Sequence, residues 1–332
     1  MNPFRFLRQA ASAAAGTASV VSTFSNLASN LQAIHLSPTF IAGFVSPHLD
    51  LDAVARQLRQ RFPQATLSLC TTAGELSSAS ESLYCAAQGH WDRIVLQLFD
   101  ASLIAGAEMV SVPLLSEDIR GNGKRLGMRD RIDRLVGELK RTRVNMALDS
   151  RDTLAYVLFD GLSASESFFM EALYESGRFP CLFVGGSSGG KDDFQKTLLH
   201  DGQRSYQNHA QIVFLKCAPN VRFGVFKSQN FEPTPLSFSV LTASLEERYI
   251  HQVFDAAGNI KTMVAALCDA FKCAPNQLEK YLAEYSFAIR VGEELFVRSI
   301  ARIDYARETI HLFCDVAPGE ELVMVKRTSL RD

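Results

Sequence analysis

One pattern occurs twice in this chain, and it narrows the fold more than any other feature. Thr39 to Val45 is an apolar run, Leu51, Val54, Ala55, Leu58 and Phe62 mark one helical face, and Thr66 to Cys70 is a second apolar run. The order recurs at Leu154 to Phe159, in a helix over 165–177 with Phe168, Phe169, Ala172 and Leu173 on its core face, and at Pro180 to Val184. Strand–helix–strand units of this kind favour parallel strands joined by a right-handed crossover. Asp50 suits the N-cap of the first helix. Both units end in small residues, Thr71-Thr72-Ala73-Gly74 in the first and Gly185-Gly186-Ser187-Ser188-Gly189-Gly190-Lys191 in the second. Such residues let a backbone turn with positive φ or approach a ligand closely. Ligands of α/β sheets sit off the carboxyl ends of strands. The two loops are therefore expected to face one cleft.

The rest of the chain fits around these units. Residues 4–34 read as a helix with Phe24, Leu27, Leu31 and Ile34 on one stripe. It either packs on the domain or pairs with a second copy in a homodimer, packing being the simpler reading. Arg93 to Asp100 alternates and Ile104 to Val112 is apolar, predicting antiparallel strands added to the sheet. Residues 116–150 predict a helix buried through Leu126, Ile132, Leu135, Val136 and Leu139. Its exposed face is expected to carry Arg125, Arg129, Arg131, Arg134, Lys140, Arg141 and Arg143 among acids, a solvated face rather than a docking surface. Strand-like runs follow at 196–200, 210–216 and 221–227. Pro233 and Pro235 in a polar stretch mark a domain boundary. Beyond them come strands, two helices and a hairpin about Gly292-Glu293-Glu294. The expected fold is α/β and α+β: mixed sheets flanked by helices, built from strand–helix–strand units, with a second, smaller α+β domain. The expected divisions are an N-terminal helix at 1–36, an α/β domain at 37–232 and an α+β domain at 236–332.

Charge and composition exclude several functions. A net charge of −2 over 332 residues provides no general attraction to nucleic acid or anionic membrane. No run of 18 apolar residues exists, so no membrane-spanning helix is expected. Arg5 and Arg8 precede an Ala-, Ser- and Thr-rich stretch that is too weakly apolar for a secretory signal. The seven cysteines are spread singly through apolar runs, which predicts reduced thiols and a cytoplasmic protein. Cys268 and Cys273, five apart, fall on different faces if both lie on one helix.

Familiar catalytic patterns are missing or broken. Gly185 to Lys191 spells Gly-x4-Gly-Lys after a strand, but Asp192 replaces the hydroxyl that would hold magnesium, and no apolar helical period follows. Asp160-Gly161-Leu162-Ser163 and Ser187-Ser188 supply hydroxyls, yet no Gly-x-Ser-x-Gly elbow is present, and loop serines more often bond to the backbone. None of the seven histidines has a metal-site spacing. A non-covalent haem needs only one axial ligand and leaves almost no trace in a sequence. The acid pairs Asp192-Asp193, Glu246-Glu247 and Glu320-Glu321 are adjacent, so in a strand they would point to opposite faces.

Several motifs in order resemble a known family. They are Ser46-Pro47-His48-Leu49-Asp50-Leu51, Cys70-Thr71-Thr72-Ala73-Gly74-Glu75-Leu76, Asp160-Gly161-Leu162, Val184-Gly185-Gly186-Ser187-Ser188-Gly189 and His200-Asp201-Gly202, with Phe226 to Phe231 and Phe313 to Gly319 farther on. The chain resembles FIST-domain proteins, with an N-terminal and a C-terminal FIST part over about 40–327. The resemblance implies a non-enzymatic sensory input module of signal transduction that binds a small, amino-acid-like ligand and signals to a partner protein. No cofactor is implied for that reading. The branch resembling the NosP nitric-oxide sensors implies haem b and a histidine kinase or cyclic-di-GMP enzyme as partner. The family usually reads Gly-Gly-Ser-Ala-Gly-Asp where this chain carries Ser188 and Gly190. Its C-terminal part usually runs past Asp332, so that part is expected to be truncated here.

The expected ligand site lies over the loops after Cys70, Phe159 and Val184. Thr71 and Thr72 would offer hydroxyls beside Gly74. Glu75 or Asp160 would meet a ligand amine. Gly185, Gly186, Ser187 and Ser188, with the N–H groups of 185–189, would hold a carboxylate or another anion, and Lys191 would add charge.

Overall fold

The apolar runs become strands in separate sheets. The computed structural model describes residues 15–78, 84–85, 91–120, 125–191 and 193–328, and the chain divides between Gly224 and Val225 into two units. In the first unit, β1 (Thr17–Thr23), α1 (Leu27–Gln32), β2 (Pro38–Val45), α2 (Leu51–Arg61) and β3 (Thr66–Thr71) are followed by short β4 (Glu75–Leu76) and β5 (Tyr84–Cys85), then β6 (Arg93–Asp100). Next come β7 (Ile104–Pro113), α3 (Glu117–Arg120), α4 (Met128–Arg141), β8 (Thr153–Phe159), α5 (Glu166–Ser176) and β9 (Leu182–Ser187). Short β10 (Leu199–His200) and β11 (Ser205–Tyr206) precede β12 (His209–Cys217).

The two halves share one topology. The first sheet runs β1-β6-β2-β3 and continues into β10-β11, while the second runs β7-β12-β8-β9. In each, the only parallel pair among the described residues is the one that the helix crosses, β2 with β3 and β8 with β9. Loop bonds match as well. Thr72 N–H donates to the Val45 carbonyl (3.1 Å) and Ser188 N–H to that of Phe159 (2.8 Å). Ser46 N–H donates to the Arg93 carbonyl (2.9 Å) and Asp160 N–H to that of His209 (3.1 Å). Thr71 and Ser187 thus occupy equivalent positions, which accounts for the echo between the two small-residue stretches.

The sheets stack face to face with helices outside. Phe40 and Ala42 pack on Val213 and Leu215 between them, with Phe99 and Tyr156 around Phe40. The other face of the first sheet packs Ile41, Leu67, Leu69 and Leu96 on Leu27, Leu31, Val54 and Leu58 of α1 and α2. The other face of the second packs Ala155, Val157, Ile212 and Phe214 on Leu135, Leu139, Phe169 and Leu173 of α4 and α5. Strands covered on both faces read as continuous apolar runs rather than alternating ones.

The second unit is an antiparallel sheet with helices. It holds β13 (Phe231–Ser244), β14 (Tyr249–Phe254), β15 (Ile260–Thr262), α6 (Met263–Phe271), α7 (Leu278–Leu282), β16 (Tyr285–Val291), β17 (Glu294–Arg298), β18 (Ile300–Asp304), β19 (Thr309–Leu312) and β20 (Glu321–Arg327). Phe238, Ile250, Met263, Leu267, Phe287 and Met324 form its core. The mixed and antiparallel sheets flanked by helices agree with the expected fold class.

Five local expectations are corrected. Residues 17–23 are a strand paired along its length with β6, from Thr17 with Phe99 to Thr23 with Arg93; Thr17, Val20, Val21 and Thr23 are β-branched and suit a strand. Only Leu27–Gln32 of the predicted N-terminal helix is helical, and residues 4–14 lie outside the described residues. Pro233 and Pro235 sit inside β13, where the register shifts before Ser237 and β14 does not yet pair, so no ladder N–H is missed. Residues 221–227 form no strand, and Phe226 is 90% exposed. Arg131 is buried rather than exposed. It shares the stripe of Leu135 and Leu139, four and eight residues on, and its guanidinium bonds Asp118 (2.6 and 3.0 Å) and the Leu115 carbonyl (2.9 Å). Finally, the apolar run at Pro180 to Val184, which reads as a strand buried in the sheet, instead leads into Leu182–Ser187, the exposed edge of its sheet.

Candidate functional site

The two small-residue loops do meet, and they bond to each other. Gly189 N–H donates to the Thr71 carbonyl (2.8 Å), and Thr71 Oγ1 donates to the Gly189 carbonyl (2.7 Å). The chain then crosses to the first sheet. Leu198 N–H donates to Thr71 Oγ1 (2.9 Å), Thr71 N–H donates to the Leu198 carbonyl (3.0 Å), and β10 pairs with β3.

Close packing explains most of the glycines. A Cβ on Gly189 would lie 2.5 Å from Ala73 N, one on Gly185 1.7 Å from the Val157 carbonyl oxygen, and one on Gly190 2.3 Å from that of Lys196. Any side chain at Gly190 therefore has no room on this backbone. Gly74 holds a φ of +141°, which glycine tolerates best. Gly186 alone in this run faces open space.

Off the carboxyl ends of β2 and β3 lies a cleft of about 440 Å³. Leu49, Asp50 and Asp52 come from the start of α2, Lys191, Asp193, Lys196 and Leu198 from the crossing segment, and Ser205, Tyr206 and Gln207 from β11 and the turn after it. Asp50 caps α2, its Oδ1 accepting the N–H groups of Asp52 (3.0 Å) and Ala53 (3.1 Å). Asp52 Oδ1 accepts from the Ser205 hydroxyl (2.9 Å) and Ser205 N–H (3.2 Å), and it lies 3.1 Å from Nε2 of buried His200. Gly202 N–H donates to His200 Nδ1 (2.8 Å), which leaves the proton on Nε2, aimed at Asp52. Burial lowers the His200 pKa, with Asp52 pulling the other way.

Of the ten residues expected at the site, two line this cleft, Thr71 and Lys191. Lys191 is exposed, whereas the Thr71 hydroxyl is spent on Gly189 and Leu198. Thr72 Oγ1 donates to Glu75 Oε1 (2.7 Å), which also accepts from Trp91 Nε1 (3.3 Å). Glu75 is buried with its pKa raised, burial outweighing those bonds, and its Oε2 has no partner among the described residues. Asp160 is fully buried and serves the fold. It accepts from the Thr197 hydroxyl, Leu162 N–H (3.2 Å) and Asn208 N–H (2.5 Å). The anion cradle over 185–189 does not form, because the N–H groups of Ser188 and Gly189 are bonded to Phe159 and Thr71. Ser188 is buried and accepts from Gly161 N–H (3.1 Å), and Ser187 donates to Glu166 (2.8 Å) on the exposed edge.

Sequence reading missed Asp52, Lys196, His200 and Tyr206. Asp52 and His200 stand within or beside the motifs Ser46 to Leu51 and His200-Asp201-Gly202, so the motifs marked the region but not the roles. Among the described residues no group of three or more His, Cys, Asp or Glu side chains is arranged to hold a metal. No described His, Cys or Met lines the cleft, and Tyr206 is the one described lining residue of a type that commonly ligates haem iron.

Comparison with family models matches residues 39–253 to the FIST N domain. No curated protein matches the chain.

Proposed function

The chain belongs to the FIST domain family, and from that premise we propose that it is a sensory input module whose cleft at 47–52 and 191–207 takes an amino-acid-like zwitterion. FIST domains are sensory, ligand-binding domains of signal transduction rather than catalytic ones. No described helix is long and apolar enough to cross a membrane. The observation that carries the reading is the charge of the cleft walls. Asp50, Asp52 and Asp193 supply carboxylates, and Lys191 and Lys196 supply ammonium groups. A ligand bearing one ammonium and one carboxylate would pair with both kinds, through bonds stronger than neutral ones. The Ser205 and His200 contacts hold Asp52 in place for this role. Occupancy would tie the start of α2 to the crossing segment, and so pass a change to a partner such as a histidine kinase or a cyclic-di-GMP enzyme.

The test is mass spectrometry of small molecules released from the intact protein, followed by calorimetry with whatever is found. Asp52→Asn and Lys191→Ala should each weaken binding at least tenfold, the equivalent of about 1.4 kcal/mol. Unchanged affinity in both removes the site. A Soret band in the purified protein would replace this reading with haem sensing.

A further inference from the structure

Cys268 and Cys273 do not lie on one helix, because α6 stops between them. Its last residue is Phe271, and Lys272 turns the chain with a left-handed φ of +52°. Cys273 N–H donates to the Cys268 carbonyl (3.0 Å) and Lys272 N–H to that of Asp269 (3.3 Å). These are the two bonds of a Schellman motif, which sets a side chain near the helix end against the one just past the reversal. Here both are cysteines. Their thiols lie within hydrogen-bonding reach of each other, half-buried against the core of the second unit. A disulfide spans a Cα separation of about 4.4–6.8 Å, and a direct backbone bond between the same two residues is compatible with that span.

We propose that Cys268 and Cys273 are a reversible disulfide site, closed by exchange with a small-molecule disulfide such as oxidised glutathione. The Cys273 thiolate attacks one glutathione sulfur, forming a mixed disulfide and releasing one glutathione thiolate, which takes up a proton. The Cys268 thiol then loses its proton and attacks the Cys273 sulfur, expelling the second glutathione. Two protein thiols and one glutathione disulfide thus become one protein disulfide and two glutathione thiols. Burial, the largest cause, raises the Cys268 pKa, and the neighbouring Cys273 adds to it, which leaves less Cys268 thiolate to make the first attack; the second step is intramolecular and so tolerates a smaller thiolate fraction. The site is independent of the cleft in the first unit.

Trypsin cuts after Lys261, Lys272 and Lys280, so the two cysteines fall in separate peptides, 262–272 and 273–280. The full-length protein is equilibrated with oxidised glutathione under native conditions, alkylated, digested and examined by mass spectrometry. The expected result is that the two peptides stay joined and come apart with dithiothreitol. Cys268→Ser and Cys273→Ser should each abolish the joined species, and Cys314→Ser should leave it. Recovery of the peptides singly in fully oxidised glutathione, whether alkylated or carrying glutathione, overturns the proposal. So does a link from either cysteine to a different one, or a joined species that forms only in urea.

Discussion

Two glycines in one small-residue run should respond oppositely to the same methyl group. Neither Gly186 nor Gly189 has a positive φ, so alanine strains neither backbone and the difference is space alone. At Gly189 the new Cβ would stand 2.5 Å from Ala73 N and 3.0 Å from Thr72 C. Both are backbone atoms, which cannot swing aside, so the loops must part. Overpacking of this kind costs about 1–3 kcal/mol. The two bonds between Gly189 and Thr71, at 2.8 and 2.7 Å, contribute about 1 kcal/mol each and weaken as the loops separate. A loss near 3 kcal/mol lowers the melting temperature of a unit this size by roughly 6–12 °C. At Gly186 nothing lies within 4 Å, and alanine should stabilise by about 0.4–1 kcal/mol through the unfolded chain. Urea unfolding followed by circular dichroism measures both. If Gly189→Ala unfolds within about 0.5 kcal/mol of the parent, the ordinary spread of surface changes, the loop-to-loop account is wrong. A Gly186→Ala variant as unstable as Gly189→Ala would sink it equally.

Two further outcomes follow from buried charge. Arg131→Ala should cost about 3–5 kcal/mol by leaving Asp118 without its partner, whereas a loss under 1 kcal/mol in the same urea assay would show that the pair contributes little. His200 is held below its ordinary pKa, so below about 6.5 the unfolded chain binds the extra proton and the folded chain resists it. Stability should therefore fall as pH drops through that region, and His200→Gln, which can still accept from Gly202 and donate to Asp52, should flatten the loss. Parallel stability curves for parent and variant would refute it.

Much of the local structure was legible. Apolar runs of four to eight residues become strands, and the stripe through Val54 and Leu58 becomes a helix capped by Asp50, because burial and capping act over a few neighbours. Arg131 was legible in its spacing alone. Its spacing from Leu135 and Leu139 places it inside, but its charge suggested otherwise, and only Asp118 and the Leu115 carbonyl make that burial tolerable. Residues 17–23 were not legible, because a helix-like stripe at 24–34 ran straight on from them and the partner strand lies 70 to 82 positions away, from Thr23 against Arg93 to Thr17 against Phe99. The Cys268–Cys273 contact hinges on one left-handed lysine, a conformation that lysine does not advertise.

The sequence by itself determined that two strand–helix–strand units end in small residues, and that family membership follows from their motifs. It could not say what the small residues do. Thr71 and Gly189 lie 118 positions apart, and whether a glycine there accommodates a ligand or another loop depends on which backbone arrives beside it. The cleft was undecided for the same reason. Its walls come from Pro47, Leu49 to Asp52, Thr71, Lys191, Asp193, Lys196, Leu198 and Ser205 to Gln207, and only packing the crossing segment onto β3 places the lysines and aspartates around one space.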